Sequence, residues 1–141
     1  MTKIVYNNCF GGFSLSHEAI MRYAEIKGIT LYSLKTDYGV TDYFLCPPEE
    51  YYRIVQEEKS QILSIYTNRY ARSNAMHFSS HVIERTDPAL AQVVQELGKA
   101  ANGPCAKLEI VELPAGTRYR IDEYDGLETV ETMDTYEWKV A

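Results

Sequence analysis

Lys107-Leu-Glu-Ile-Val-Glu-Leu113 is the stretch that decides the predicted fold, because its apolar and polar residues alternate with a period of two. Such alternation is typical of a strand with one buried face. Pro114-Ala-Gly116 then turns the chain, and residues 118–124 and 127–131 alternate again on either side of Asp125-Gly126. Asp-Gly favours a two-residue hairpin turn. The C-terminal part of the chain therefore predicts consecutive antiparallel strands.

Two main helices are predicted beside these strands. Ser16 is a good N-cap and Gly28 a natural C-terminal stop, and they bound a helix at about 16–27. A second helix, at about 87–101, begins at Asp87-Pro88, where a capping residue precedes a proline at the first helical position. Its buried face is predicted from apolar residues at i, i+3, i+4 and i+7, namely Leu90, Val93, Val94 and Leu97.

The rest of the chain carries weaker patterns. A third helix is predicted near 48–66, since Pro47-Pro48-Glu49-Glu50 places proline and acidic residues at a helix start. Between Thr67 and Ser80 a loop or an irregular extension is expected. Further strands are predicted at 3–7, 29–34, 78–83 and 136–140. The fold class is therefore α+β, with a largely antiparallel sheet. A length of 141 residues fits a single domain, 1–141.

Composition and charge exclude several classes of protein. The net charge is −6, whereas proteins that bind long nucleic acids usually present a basic face, so no long nucleic acid partner is expected. No apolar run is long enough to span a bilayer, and the N-terminus lacks the apolar region of a signal peptide. No membrane partner and a cytoplasmic location are therefore expected. Twelve tyrosines suit interfaces and nucleotide pockets, although most of them can equally border a core.

No residue pattern predicts a catalytic or a metal site. The cysteines lie too far apart in the sequence for a CxxC pair. His77 and His81 lie four residues apart, with no Glu or Cys nearby that completes a metal set. Motifs such as HExxH and GxSxG are absent. A protein without cofactor or metal, and without catalytic residues, is therefore expected. The residues weighed here are Cys9, Cys46, Cys105, His17, His77 and His81.

A glycine-containing loop before the first helix is one candidate anion site. Asn8-Cys9-Phe10-Gly11-Gly12-Phe13-Ser14 places two glycines where backbone N–H groups can point at a phosphate. It matches neither a P-loop nor GxGxxG. The alternative is a plain turn from strand to helix, with both phenylalanines in the core. The candidate ligand-binding residues here are Phe10, Gly11, Gly12, Phe13 and Ser14.

A second candidate site lies on the strand predicted at 118–124. Arg118, Arg120, Asp122 and Tyr124 share one face of that strand. Two arginines on one face can bind a diphosphate through their planar N–H groups, and Asp122 can accept hydrogen bonds from ribose hydroxyls. The alternative is an exposed sheet face whose charges form weak cross-strand ion pairs.

Taken together, several of these segments resemble the Thoeris anti-defence protein one family of bacteriophages. The similarity covers both ends of the chain and leaves about 35–78 outside it, as a family-variable insertion. The segments that carry it are Lys3-Ile-Val-Tyr-Asn-Asn-Cys-Phe-Gly-Gly-Phe-Ser-Leu-Ser16, Arg85-Thr-Asp-Pro88, Val94-Gln-Glu-Leu-Gly98, Ala101-Asn-Gly103, Ala106-Lys-Leu-Glu-Ile-Val-Glu-Leu-Pro114 and Ile121-Asp-Glu-Tyr-Asp-Gly126.

The resemblance implies a protein that binds and sequesters a signal without transforming it. The signal is a cyclic ADP-ribose isomer (glycocyclic ADP-ribose) made by bacterial TIR-domain immune enzymes. The resemblance also implies a homo-oligomer, a dimer or hexamer, whose pockets are shared between protomers. Cyclic oligonucleotide signals at separate intersubunit sites are a further implication, for which Arg69 and Arg72 are the candidate anion-binding residues. In the main pocket, Phe10 and Tyr124 would contact the adenine ring, and the amide of Asn102 would bind its edge.

Two other functions stay open at this point. One is an enzyme that cleaves the same nucleotide signal, with Asp122 or His81 assisting. The other is an acidic protein that blocks a host defence protein directly. Binding without cleavage is the leading hypothesis.

Overall fold

The computed structural model describes residues 1–60 and 70–141 and confirms the α+β class. In chain order the elements are β1 (Thr2–Asn7), α1 (His17–Lys27), β2 (Tyr32–Lys35), β3 (Thr41–Phe44), α2 (Pro48–Ser60), α3 (Ala71–Met76), β4 (His77–Phe78), α4 (Pro88–Leu97), β5 (Leu108–Leu113), β6 (Tyr119–Tyr124) and β7 (Leu127–Thr132). The contacts divide the chain into two compact units. The first unit is Met1–Lys27 with Ile83–Ala141, and the second is Gly28–Val82.

The first unit contains two antiparallel strand pairs. Strand β1 pairs with β5 in a register that runs from Thr2 opposite Leu113 to Asn7 opposite Leu108. Strands β6 and β7 form a hairpin in which Tyr124 lies opposite Leu127. Asp125 and Gly126 between them have φ values of 49° and 88°. Two positive φ values define a type I′ turn, as Asp-Gly predicts.

Helices α1 and α4 pack together in the first unit. The Asp87 carboxylate caps α4 by accepting a hydrogen bond from the Ala89 N–H at 2.9 Å. The Tyr23 hydroxyl on α1 donates to the same carboxylate at 2.7 Å, so the cap also joins the two helices. Three of the four apolar residues predicted on the inner face of α4 are buried, together with residues of β1: Leu90, Val93, Val94, Ile4 and Val5.

The second unit consists of a small antiparallel sheet, in the order β2-β3-β4, and two helices. Glu58 on α2 is buried, and its carboxylate accepts hydrogen bonds from the Ser73 N–H and hydroxyl at 2.9 and 2.7 Å. These bonds satisfy the start of α3, which has no side-chain cap of its own. No helix in residues 1–60 and 70–141 has the length and apolar character needed to cross a membrane.

Several predicted boundaries differ from the structure. The strand predicted at 78–83 is wrong beyond Phe78, because the Ser79 hydroxyl and carbonyl accept bonds from His81 N–H and Val82 N–H and form a 3₁₀ turn. The strand predicted at 136–140 is also absent from the described chain. The third helix is described as far as Ser60, and the rest of its predicted range lies outside the described residues. Strand β3 and helix α3 were not predicted.

The Tyr23–Asp87 contact makes the free energy of unfolding depend on pH in the alkaline range. Burial, reinforced by the hydrogen bond to Asp87, raises the pKa of Tyr23 to about 12 from 10.0. A raised pKa stabilises the fold below pH 10, and this contribution is lost as the pH rises through about 12. We expect Tyr23→Phe to lower the free energy of unfolding by about 1 kcal/mol at pH 7.

Urea denaturation between pH 7 and pH 12 measures both effects. The variant should lose less stability than the wild type above pH 10, because it lacks the titrating hydroxyl. Tyr38→Phe, at an exposed position, is the matched control and should change neither quantity. Equal alkaline losses in the wild type and in Tyr23→Phe would contradict the role given to this hydroxyl.

Candidate functional site

An ion pair between a buried carboxylate and a partly buried guanidinium attaches the β6–β7 hairpin to the rest of the first unit. Arg85 Nη1 and Nη2 donate to the two carboxylate oxygens of Glu128 on β7 at 2.6 and 2.8 Å. The guanidinium lies 3.5 Å from the centre of the Phe13 ring, and Arg85 Nη1 also reaches the Val5 carbonyl at 3.3 Å. Both residues of the pair are largely shielded from solvent. The face of the hairpin that bears Glu128 is therefore held against the rest of the first unit.

Asn7 is fully buried and connects the same hairpin to two loops. Its backbone N–H donates to Glu128 Oε1 at 2.8 Å, and its side-chain Nδ2 donates to the carbonyls of Cys9 and Gly126, both at 2.8 Å. Its Oδ1 accepts from the Lys107 N–H at 2.8 Å. One amide therefore fixes the glycine loop (residues 8–14), the hairpin turn and the start of β5 in relation to one another.

The glycine loop packs tightly against two neighbouring backbones. A Cβ atom at Gly11 would clash with the carbonyl group of Cys105, and one at Gly126 would clash with the Phe10 carbonyl oxygen. Gly103 has a similarly close neighbour in Ser14, whose carbonyl accepts from the Gly103 N–H at 3.0 Å. Close packing of backbones accounts for Gly11 and Gly126 without a ligand. The role of this loop in phosphate binding stays a prediction.

The residues predicted around the adenine ring lie in the glycine loop or close to it, but their environments differ. Phe10 and Tyr124 are exposed, by 62% and 76%, and their rings are accessible to a ligand. Phe13 is buried under Arg85 and packs in the core, as the alternative interpretation predicts, whereas that interpretation is wrong for Phe10. The Asn102 Oδ1 accepts from the Leu108 N–H at 2.9 Å, so this oxygen already has an intramolecular partner.

The predicted arginines border a separate surface depression of about 220 Å³. We call it the hairpin depression; it is lined by Arg118, Tyr119, Arg120, Glu131, Thr132, Met133 and Tyr136. Its walls come from the start of β6, the end of β7 and the segment after β7. The Arg120 guanidinium and the Tyr136 ring thus lie side by side on an exposed surface.

Arg120 has partners within the hairpin depression. Its Nε donates to Glu131 Oε2 at 2.8 Å and its Nη2 donates to the Tyr136 hydroxyl, which itself donates to Glu131 Oε2 at 2.6 Å. The hydrogen bonds from Tyr136 and Arg120 lower the pKa of Glu131, and the bond to Glu131 raises the pKa of Tyr136. The cross-strand ion pair of the alternative interpretation is therefore present at Arg120.

The candidate residues form two groups at opposite ends of the hairpin. Strands rise about 3.4 Å per residue, so Arg120 and Tyr124 lie about 14 Å apart along β6. The glycine loop contacts the turn end of the hairpin through Gly126, whereas the hairpin depression lies at the other end. Asp122 lies between them, exposed and opposite Thr129. One chain therefore does not unite the two groups in one pocket.

The second candidate anion site falls in the other unit. Arg69 lies outside the described residues. Arg72 belongs to α3, is exposed, and forms an ion pair with Glu57 on α2 at 3.1 Å. The binding of cyclic oligonucleotides by this pair of arginines stays a prediction.

Sequence reasoning missed several residues of the site. Glu131 lies opposite Arg120 in the hairpin register, so the Asp125-Gly126 turn already contained the information to pair them. Tyr136 and Met133 reach the depression through a 3₁₀ turn at Met133–Thr135, in which the Thr132 N–H donates to Thr135 Oγ1 at 2.8 Å. Contacts between side chains of distant elements, such as Arg85–Glu128, could not be predicted from the spacing of residues in the sequence.

Comparisons with protein-family models, with curated proteins and with solved structures find no match to this chain.

The Arg85–Glu128 pair predicts a large effect of mutation on stability. Arg85→Ala should lower the free energy of unfolding by about 3 kcal/mol or more, because it leaves a buried carboxylate without its cation. Arg22→Ala is the matched control, since Arg22 also contacts a carboxylate, that of Glu96, in a pair that is more exposed than Arg85–Glu128. Its loss of stability should be much smaller. Equal losses in the two variants, measured by urea denaturation, would contradict the structural role of the buried pair.

Proposed function

We propose that this protein is a non-enzymatic phage anti-defence protein that binds a cyclic ADP-ribose isomer and holds it intact. The observation that carries the proposal is the hairpin depression, which two arginines line on an exposed surface and where Arg120 lies beside the Tyr136 ring. The site would act in the cytoplasm of the host bacterium, as the resemblance to the Thoeris anti-defence protein one family implies. The downstream immune effector would then receive no signal.

The chemistry of the depression suits a nucleotide diphosphate. Arg118 is exposed and, within the part of the chain that the structure describes, its side chain contacts no carboxylate. Guanidinium groups bind phosphate oxygens through two parallel N–H donors, and these charge-assisted bonds are the stronger class. Tyr136 supplies a flat apolar face for a base, with a hydroxyl group at its edge, and its ring centre lies 5.5 Å from the Arg120 guanidinium carbon.

The size of the depression supports a pocket shared between two protomers. Pockets for ligands of this class usually enclose about 300–1,000 Å³, whereas the hairpin depression measures about 220 Å³ and is open. The glycine-loop group lies on another part of the same chain. A second copy that places its glycine loop over the hairpin depression would unite the two groups. Phe10, Tyr124 and Trp138 are exposed, as expected of residues that become covered on association.

The ionisation of Glu131 argues against a role for this residue as a general acid or base. Glu131, which lines it, accepts hydrogen bonds from Tyr136 and Arg120, and its pKa is lower than usual. A general acid or base works best with a pKa near the working pH. Glu131 is instead ionised and bonded at neutral pH, which suits a residue that organises a binding surface.

A retention experiment tests the proposal. The protein is incubated with the cyclic ADP-ribose isomer, freed of unbound ligand and denatured by heat, and the released nucleotide is quantified. We expect intact ligand in a fixed ratio to protein. Arg118→Ala should reduce retention about ten-fold or more, because a charge-assisted hydrogen bond contributes about 1.5–3 kcal/mol. Its oligomeric state should not change.

Arg53→Ala is the matched control, because Arg53 is an exposed arginine of α2 outside the hairpin depression. Its retention should equal that of the wild type. Recovery of a hydrolysed nucleotide would overturn the proposal in favour of an enzyme. If no nucleotide is retained, direct blocking of a host protein becomes the better hypothesis. Undiminished retention by Arg118→Ala would show that the phosphate site lies elsewhere.

A further inference from the structure

We propose that Glu131 and Tyr136 are positioning residues that hold Arg120 in the orientation in which it binds the ligand's diphosphate. The inference rests on the proposed function and goes beyond it, because it assigns a role to two residues that would not themselves contact the phosphates. It also explains why Arg120, which would bind an anion, already forms an ion pair with Glu131.

The three side chains form a closed set of hydrogen bonds on one carboxylate oxygen. Glu131 Oε2 accepts both from Arg120 Nε at 2.8 Å and from the Tyr136 hydroxyl at 2.6 Å. The same hydroxyl accepts from Arg120 Nη2. Each member is therefore bonded to the other two, and moving one of them breaks two bonds. This is the arrangement that fixes a long side chain in one rotamer.

The donors that remain on Arg120 are those that a phosphate needs. A guanidinium has five N–H donors, and the set uses the Nε–H and one N–H of Nη2. Both N–H groups of Nη1 and the second N–H of Nη2 have no acceptor among residues 1–60 and 70–141. These neighbouring donors form the end of the guanidinium that binds two oxygens of a phosphate at once.

The environment of the three residues fits positioning of the arginine for an external ligand. The Glu131 side chain is 15% exposed, whereas that of Arg120 is 65% exposed, so the carboxylate is covered and the guanidinium stays accessible. The lining of the hairpin depression contains two arginines and one carboxylate, so its net charge is positive. An exposed arginine loses much rotamer freedom when it binds, and fixing it beforehand reduces that cost.

The turn after β7 places Tyr136 for this role. Thr132 and Thr135 form a reciprocal capping interaction around the 3₁₀ turn at Met133–Thr135, and the next residue is Tyr136. Its ring lies 5.5 Å from the Arg120 guanidinium carbon, so ring and hydroxyl both contact the arginine. The backbone thus brings the tyrosine to the arginine independently of any ligand.

Two measurements test the inference. The first needs no ligand: the exchange of the Arg120 Nε–H with water, followed by ¹⁵N NMR and assigned with Arg120→Lys. It should be slow in the wild type and much faster in Glu131→Ala. The second is the dissociation constant, measured by calorimetry, for the cyclic ADP-ribose isomer and for inorganic pyrophosphate. Glu131→Ala and Tyr136→Phe should each weaken both about five-fold or more, and Glu131→Gln, which keeps an acceptor, should be intermediate.

Because the two residues act through Arg120, neither substitution should weaken binding further in an Arg120→Ala background. Glu137→Gln and Tyr38→Phe are the matched controls, at exposed positions outside the hairpin depression, and should bind like the wild type. The inference is overturned if Glu131→Ala leaves the Nε–H exchange unchanged, or if it binds more tightly, which would make Glu131 a competitor of the ligand. Additive losses in the Arg120→Ala background would also overturn it.

The failure of the proposed function would look different. If the wild type binds neither the cyclic nucleotide nor pyrophosphate, the proposed function fails and the inference falls with it. If the wild type binds both and the three variants bind equally well, the inference alone fails.

Discussion

The buried contact between Arg85 and Glu128 is the interaction on which the first unit depends. Arg85 precedes α4, Glu128 belongs to β7, and the guanidinium also reaches the β1 backbone and the Phe13 ring. A two-stranded hairpin alone is marginally stable at best in water, so β6 and β7 need such an attachment. With Asn7 bonded to the same carboxylate, the hairpin has one face fixed against the unit and the other directed outward.

That outward face is where the proposed function resides. Arg120 faces out because the neighbouring residue on β6, Ile121, lies opposite Val130 on the inner side of the hairpin. The strand alternation that buries Glu128 therefore places Arg120 and Glu131 together on the outward face of the hairpin. A binding surface built on a fixed hairpin keeps its donors in place without a ligand, and this reduces the entropy lost on binding. The proposed second copy would bring together the glycine loop and the arginines, which lie apart along the hairpin of one chain.

Patterns local in sequence predicted the elements well, and contacts between distant residues escaped prediction. The Asp87 cap, the apolar face of α4 and the Asp125-Gly126 turn each depend on neighbouring residues, so composition and spacing were enough. Ser79 shows the limit, because its hydroxyl competes with the strand for the backbone and converts the predicted strand into a 3₁₀ turn. The arginines of the candidate site were predicted from strand alternation. Their partner Tyr136 was not, because a turn brings it back onto the hairpin.

The central claim is that the protein holds its ligand chemically unchanged in a pocket that two copies complete. Native mass spectrometry of the protein mixed with the cyclic ADP-ribose isomer tests this claim most directly. The account predicts an oligomer whose added mass equals that of the intact ligand, with the bound ligand lost on dissociation into single chains. An added mass that includes a molecule of water, or intact ligand bound stoichiometrically to the single chain, would contradict it.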